Sequence, residues 1–237
     1  MIFGNGLGRA ISNEDYNLEA ALSAAWVNNS VLSDTQRQLI KQCLPEDVIE
    51  SSLSEPPRSE EQLDKLQRVL AACDEIAKNE NPDGERWLTD HGRQFPYAIR
   101  SFVHCAASHF HQLPHVLPQD FVTPLVDWIY DSKSHVATLN YDELLYRSFV
   151  GTKVFNGYDC LIDGFSRQFD TSNLDRRAKS RQSFYLHLHG SPLYYTGIDG
   201  SLNKGSLSSI KQLEGHASLH LVLTHVKHKM SVVAASP

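Results

Sequence analysis

Apolar and β-branched residues fall along this chain in a few short runs and several longer periodic ones. Residues 135–139 are a short apolar run that breaks at Asn140, after which 142–149 carries apolar residues at helical spacing. Strand, tight turn and helix are therefore predicted in succession. Ile2-Phe3 runs into Gly4-Asn5-Gly6-Leu7-Gly8, the end of a short strand entering a glycine-rich turn. The stretch Ser183-Phe-Tyr-Leu-His187-Leu-His189-Gly190-Ser191 alternates as a strand up to His-Gly-Ser, which places His187 and His189 on one strand face. Residues 152–155 predict a further strand, 193–196 with the turn Asp199-Gly-Ser a hairpin, and 219–226 a buried strand.

The long interval between the first two of these motifs has helical periodicity. Leu18, Ala21, Leu22, Ala25 and Trp26 share one face of a helix predicted over 15–29. A capping box, Ser33-x-x-Gln36, opens a second helix that reaches about residue 44, and Ser59-x-x-Gln62 opens a third to about 78. Between them Pro56-Pro57 forbids a helix over 50–58, and Asn81-Pro-Asp-Gly84 is a turn. A helix over 96–113 turns Ile99, Phe102, Val103, Ala106 and Phe110 inward, and one over 119–130 does so with Phe121, Leu125, Trp128 and Ile129. The fold class expected is α/β, a Rossmann-like mostly parallel sheet with a large helical insertion. The whole of 1–237 reads as one domain, with 13–132 as a helical insertion and 133–237 as the second part of the core.

Composition narrows the function classes. The formal charge of −6, from 22 basic and 28 acidic residues, supplies no global footprint for nucleic acid. No apolar run approaches the roughly 18 residues of a membrane span, and the N-terminus lacks a secretory pattern, so a cytoplasmic protein is expected. Cys43, Cys73, Cys105 and Cys160 are widely scattered with no Cys-x-x-Cys pair, and read as buried free thiols. Cys105 and His109 share a helix face but supply only two metal ligands, His220, His225 and His228 are too loosely placed, and no metal site is predicted. The basic cluster Arg176, Arg177, Lys179 and Arg181 reads as a solvated loop.

In an open α/β sheet the ligand lies outside the carboxyl ends of the strands, which is where Asn140 and Asp142 fall. Gly4 and Gly6 permit positive φ and close backbone approach, as a phosphate-binding turn with a following helix N-terminus requires. The Asn140 amide can hold a hydroxyl and a water, and His189 can accept a proton near neutrality. Each residue also has a plainer reading. Asn140 or Asp142 can cap the following helix, His189 can bond to backbone at a strand end, and His187 is its rival.

Taken in order, Gly4-Asn5-Gly6, Thr138-Leu139-Asn140-Tyr141-Asp142 and Leu188-His189-Gly190-Ser191 resemble the motifs of the sirtuin-like fold. The Asn-Tyr-Asp-x-Leu-Leu form is most similar to the prokaryotic sirtuin-like domains of antiphage defence proteins. The resemblance implies NAD as substrate and its hydrolysis to nicotinamide and ADP-ribose. Asn140 and His189 would be catalytic, with Gly4, Asn5, Gly6, Thr138, Asp142, Gly190 and Ser191 contacting the dinucleotide. It also implies that the core is nucleotide-binding with the 13–132 insertion as its lid, and a homo-oligomer or a defence-complex partner. Sirtuin deacylases carry a zinc held by two close cysteine pairs; lacking such pairs, this chain is expected to hold no zinc and deacylation is the least favoured activity. Relatives continue past the position of Pro237 into another strand and a glycine-rich turn, so the family domain reads as truncated. A module that binds NAD or ADP-ribose without cleaving it is the alternative.

Overall fold

A computed structural model describes residues 1–44, 53–58, 60–80, 84, 86–155, 161–165, 168–174, 183–197, 199, 201–206 and 219–221. Ser59, residues 81–83, Cys160, the 176–181 basic cluster, His225 and His228 lie outside them. By contact the chain divides into two compact units, one holding Met1–Asn17 and Ala107–Leu213, the other holding Leu18–Ala106 and Glu214–Pro237. The helical unit is thus narrower than the 13–132 interval its periodicity suggests. Residues 107–132 belong with the sheet.

The sheet unit is α/β and Rossmann-like. Its sheet has four strands, β1 (Ile2–Phe3), β2 (Val136–Thr138), β3 (Leu161–Ile162) and β4 (Ser183–His187), in the order β1-β2-β4-β3. All three pairings are parallel. All three residues of β2 are buried, the pattern of a central parallel strand. Helix α1 (Gly6–Ile11) follows β1, and α7 (Leu144–Phe149) follows β2. Tyr146 and Phe149 of α7 pack with Phe155 edge-on and tilted around the buried Tyr185 ring of β4. Residues 152–155, expected as a strand, form turns: the Phe155 N–H bonds to the Thr152 carbonyl at 3.1 Å, which turns the chain so that Phe155 joins this ring cluster. After β4 comes an antiparallel hairpin, β5 (Gly190–Thr196) with β6 (Leu202–Lys204), as the sequence suggests. It packs Leu193 and Tyr194 against Phe165 and Leu202. Of the strand expected over 219–226, the described part is β7 (Leu219–Leu221).

The helical unit contains α2 (Leu18–Trp26), α3 (Asp34–Gln42), α4 (Glu60–Asn79) and most of α5 (Asp90–His111). The Ser33–Gln36 capping box is formed in both directions, Ser33 Oγ accepting from the Gln36 N–H and Gln36 Oε1 from the Ser33 N–H. Helix α5 starts well before Pro96, because Thr89 accepts the Gly92 N–H and Glu80 accepts the Trp87 and Leu88 N–H groups. The core centres on Trp26, packed edge-on against Phe102 at 5.7 Å, with Leu22, Leu32, Ile40 and Ile99 fully buried. Buried Arg37 bonds the Trp26 carbonyl, Asp34 and Asn29. On α6 (Gln119–Ser132), which belongs to the sheet unit, the inward face is Val122, Leu125, Val126 and Ile129. Phe121 and Trp128, expected inside, are exposed, because these i, i+7 positions lie together about 100° around the helix from the centre of the buried face.

Candidate active site

The parallel register sets the site. Phe3 aligns with Thr138, and Thr138 with His187. The Leu139 N–H bonds to the Phe3 carbonyl and the Leu188 N–H to the Thr138 carbonyl, both at 2.9 Å. Gly4, Asn140 and His189, over 180 positions of sequence, therefore leave three neighbouring strands at one edge of the sheet. With strands about 4.8 Å apart, the three turns span about 10 Å, the scale of a ribose and its pyrophosphate.

The first turn is open. A Cβ built on Gly4 or Gly6 would meet nothing within 4 Å. Neither has the positive φ expected of it; the turn is made in ordinary backbone space, with Asn5 at φ −55°, and the glycines leave clear room instead. Gly8, which sequence reading passed over, is the sterically demanding one. Its Cβ would lie 2.7 Å from the Tyr16 ring. Tyr16 is buried, stacked on Phe110 at 6.2 Å and tilted against His115 at 5.7 Å. Burial and then the Asp142 carboxylate push its hydroxyl up to about 12, so Tyr16 links the glycine segment to the second motif. Beside it, Asp15 accepts from Ser12 and pairs with His115 Nε2, both at 2.7 Å, and these two partners hold its carboxyl below the usual range.

In the second turn Asn140, Tyr141, Asp142 and Glu143 are all buried. Thr138 Oγ1 accepts the Asn140 N–H at 3.0 Å, so this hydroxyl shapes the turn. Asp142 accepts the Leu144 N–H at 3.1 Å, which makes it the residue that satisfies the start of α7. Burial raises its carboxyl, against the pull of that N–H, the Asn140 amide and Arg147. The Asn140 amide sits beside Asp142 but, by geometry, neither of its polar atoms makes a hydrogen bond among the described residues. Asn140 is thus not the helix cap, and its buried amide is left able to bond a ligand or water. Sequence reading also missed Glu143. Burial pushes it up to about 7, with Lys204 and Arg147 opposing and Asp142 adding to the rise.

The third turn separates the two histidines. Strand β4 ends at His187, Leu188-His189 is a turn, and Gly190 has φ +75°, the left-handed region that favours glycine. That backbone reversal is why His187 and His189 do not share a strand face. The His187 ring lies among Tyr146, Tyr185 and Tyr194, its nitrogens shielded from solvent though the residue is partly exposed. Burial and then the Lys204 charge hold it down to about 3, too weak a base to take a proton near neutrality. His189 is half-buried, with its ring 6.0 Å from that of Tyr141. Ser191, also an expected contact residue, is buried and accepts the Leu193 N–H at 3.2 Å, an internal duty at the start of β5.

Beneath the turns Lys204 Nζ pairs with Asp163 at 2.5 Å and lies 3.9 Å above the Tyr146 ring. Burial acts to lower this lysine, but Asp163 and Tyr146 outweigh it and raise it. Cys43, Cys73 and Cys105 are free thiols of intermediate burial, and His109 packs edge-on against Phe110. Among the described residues no group of three or more His, Cys, Asp or Glu is placed to hold a metal ion. No helix among them is long and apolar enough to cross a membrane. Comparison of the sequence with protein-family models and with curated proteins finds no match to either.

Proposed function

We propose that this protein cleaves the bond between nicotinamide and ribose in NAD, releasing nicotinamide and ADP-ribose, at the sheet edge formed by Gly4–Gly6, Asn140 and His189. The observation that carries the reading is the buried Asn140 amide, which makes no hydrogen bond by geometry among the described residues and is set between an open glycine turn and a histidine turn on adjacent parallel strands. The likeness of these three motifs to sirtuin-like NAD-consuming domains supports the choice of substrate.

The chemistry asks for position above all. The C–N bond breaks with its electron pair going to nicotinamide, a good leaving group, through a transition state with oxocarbenium character like that of glycoside hydrolysis. In this reading the glycine turn leaves room for the pyrophosphate, and the Asn140 amide, offering both donor and acceptor, fixes a ribose hydroxyl and the attacking water. His189 takes the proton that the water loses as its oxygen bonds to the ribose carbon. Asp142, occupied by the Leu144 N–H, holds the turn in shape. The proposed setting is antiphage defence, with a second copy or a partner protein controlling activity.

Nicotinamide release by the purified protein, compared with Asn140→Ala and His189→Ala, tests this directly. Release by the wild type and loss in both variants is the expected result. Undiminished turnover in Asn140→Ala would remove the reading. An NAD-dependent rise in melting temperature with no release would make the chain a binding module.

A further inference from the structure

Glu143 has no part in the chemistry above, yet it is among the most enclosed ionisable groups in the sheet unit. Its side chain is 1% exposed and that of His111, at the end of α5, is 2% exposed. His111 Nδ1 stands 3.7 Å from Glu143 Oε1, an ion-pair distance rather than a hydrogen bond, and the other carboxylate oxygen has no hydrogen-bond partner among the described residues. One turn along α7, Arg147 donates to the main-chain carbonyls of His111 and Leu113. Arg147 thus ties α7 to the end of α5, with the Glu143 carboxyl enclosed beside the His111 ring, and the Asn140–Asp142 turn is the segment that leads directly into α7.

A buried carboxylate without donors is costly as an ion. The charged and titratable groups around Glu143 are Lys204 of β6, Arg147 of α7, Asp142 of the turn, Asp163 after β3, Tyr185 of β4, Tyr194 of β5 and His111 of α5. The two cations act on Glu143 against the two other carboxylates and its own burial, and the sum leaves it holding a proton up to about pH 7.

We propose that Glu143 is a positioning residue for the reaction: enclosed beside His111 at the start of α7, it fixes the Asn140–Asp142 turn so that the Asn140 amide meets the substrate in register. It acts through the turn and touches no substrate. The kinetic side of this inference rests on the NAD-cleaving reading; the structural side does not.

The test combines kinetics with amide hydrogen exchange on wild type, Glu143→Gln and Glu143→Ala. Glutamine keeps the shape and the uncharged state, so it should stay within about three-fold of wild-type kcat at pH 6 and lack the fall in kcat expected of the wild type above about pH 7. Alanine should lower kcat about ten-fold or more with KM changed less than about two-fold, since a misplaced turn costs orientation. An alkaline limb unchanged in Glu143→Gln, or equal losses in the two variants, would overturn the proposal. Hydrogen exchange covers the case in which the wild type releases no nicotinamide, which would sink the NAD reading alone. The Asn140 and Leu144 amides should stay protected in Glu143→Gln and lose protection in Glu143→Ala; equal protection in all three proteins removes the positioning role.

Discussion

At the scale of single residues, the informative side chains are those whose burial and bonding disagree. Asn140 is 5% exposed and makes no hydrogen bond among the described residues, so its amide contributes little to stability. Asn140→Ala should therefore change the melting temperature by no more than about 2 °C while lowering nicotinamide release at least about 100-fold. Asp142→Ala should do the reverse in part, costing about 1–2 kcal/mol in urea unfolding because the Leu144 N–H loses its acceptor. Glu143 and His187 make opposite contributions to the pH dependence of stability. Glu143 is raised from 4.5 to about 7 in the fold, so its favourable contribution is complete below pH 4.5 and is lost as pH rises toward 7, by up to about 3 kcal/mol. His187 is lowered from 6.5 to about 3, so its contribution is complete above pH 6.5 and is lost as pH falls toward 3. Between pH 4.5 and 6.5 the two slopes oppose each other. Relative to wild type, urea titrations of Glu143→Gln should gain stability with rising pH across that window, and His187→Phe should lose it.

At the scale of elements, the glycines sort by what a methyl group would meet. Gly8→Ala drives a Cβ into the Tyr16 ring and should cost about 1–3 kcal/mol. Gly4→Ala enters open space and should leave the melting temperature nearly unchanged while impairing any ligand that uses that room. Lys133 ends α6 at φ 53°, in the left-handed region, so Lys133→Gly should stabilise by up to about 1 kcal/mol in denaturant titration. Helix starts were legible wherever the signal was chemical and local, as at the Ser33–Gln36 box. The start of α5 is misplaced by reading Pro96 as its first turn: the local cap Thr89, which accepts the Gly92 N–H, starts the helix at Asp90, and Glu80 holds the Trp87 and Leu88 N–H groups just ahead of it. The outward placement of Phe121 and Trp128 was hidden for a similar reason, since periodicity gives a face but two overlapping faces fit the same α6 sequence.

At the scale of the whole molecule, the sheet joins Ile2 to Ala137 and Ala137 to Leu186, while the helical unit is built from contacts among 18–106. Pairings so far apart in sequence close large loops, so the sheet should form after the helices. Stopped-flow refolding should show most far-UV helical signal returning before protection of the Ala137 and Leu188 amides; simultaneous recovery would contradict this. The sequence by itself determined the α/β class, the strand and turn around Asn140, the glycine turn and the His-Gly turn, because each is written in a local period or a local steric preference. Only the tertiary structure decided that the three turns share one edge, that Gly8 rather than Gly4 or Gly6 is sterically required, that Asp142 rather than Asn140 satisfies the helix start, and that His187 is enclosed while His189 stands in the turn. Those outcomes depend on which distant surfaces close over each side chain. Burial by a segment more than a hundred residues away leaves no periodic trace in the chain it covers.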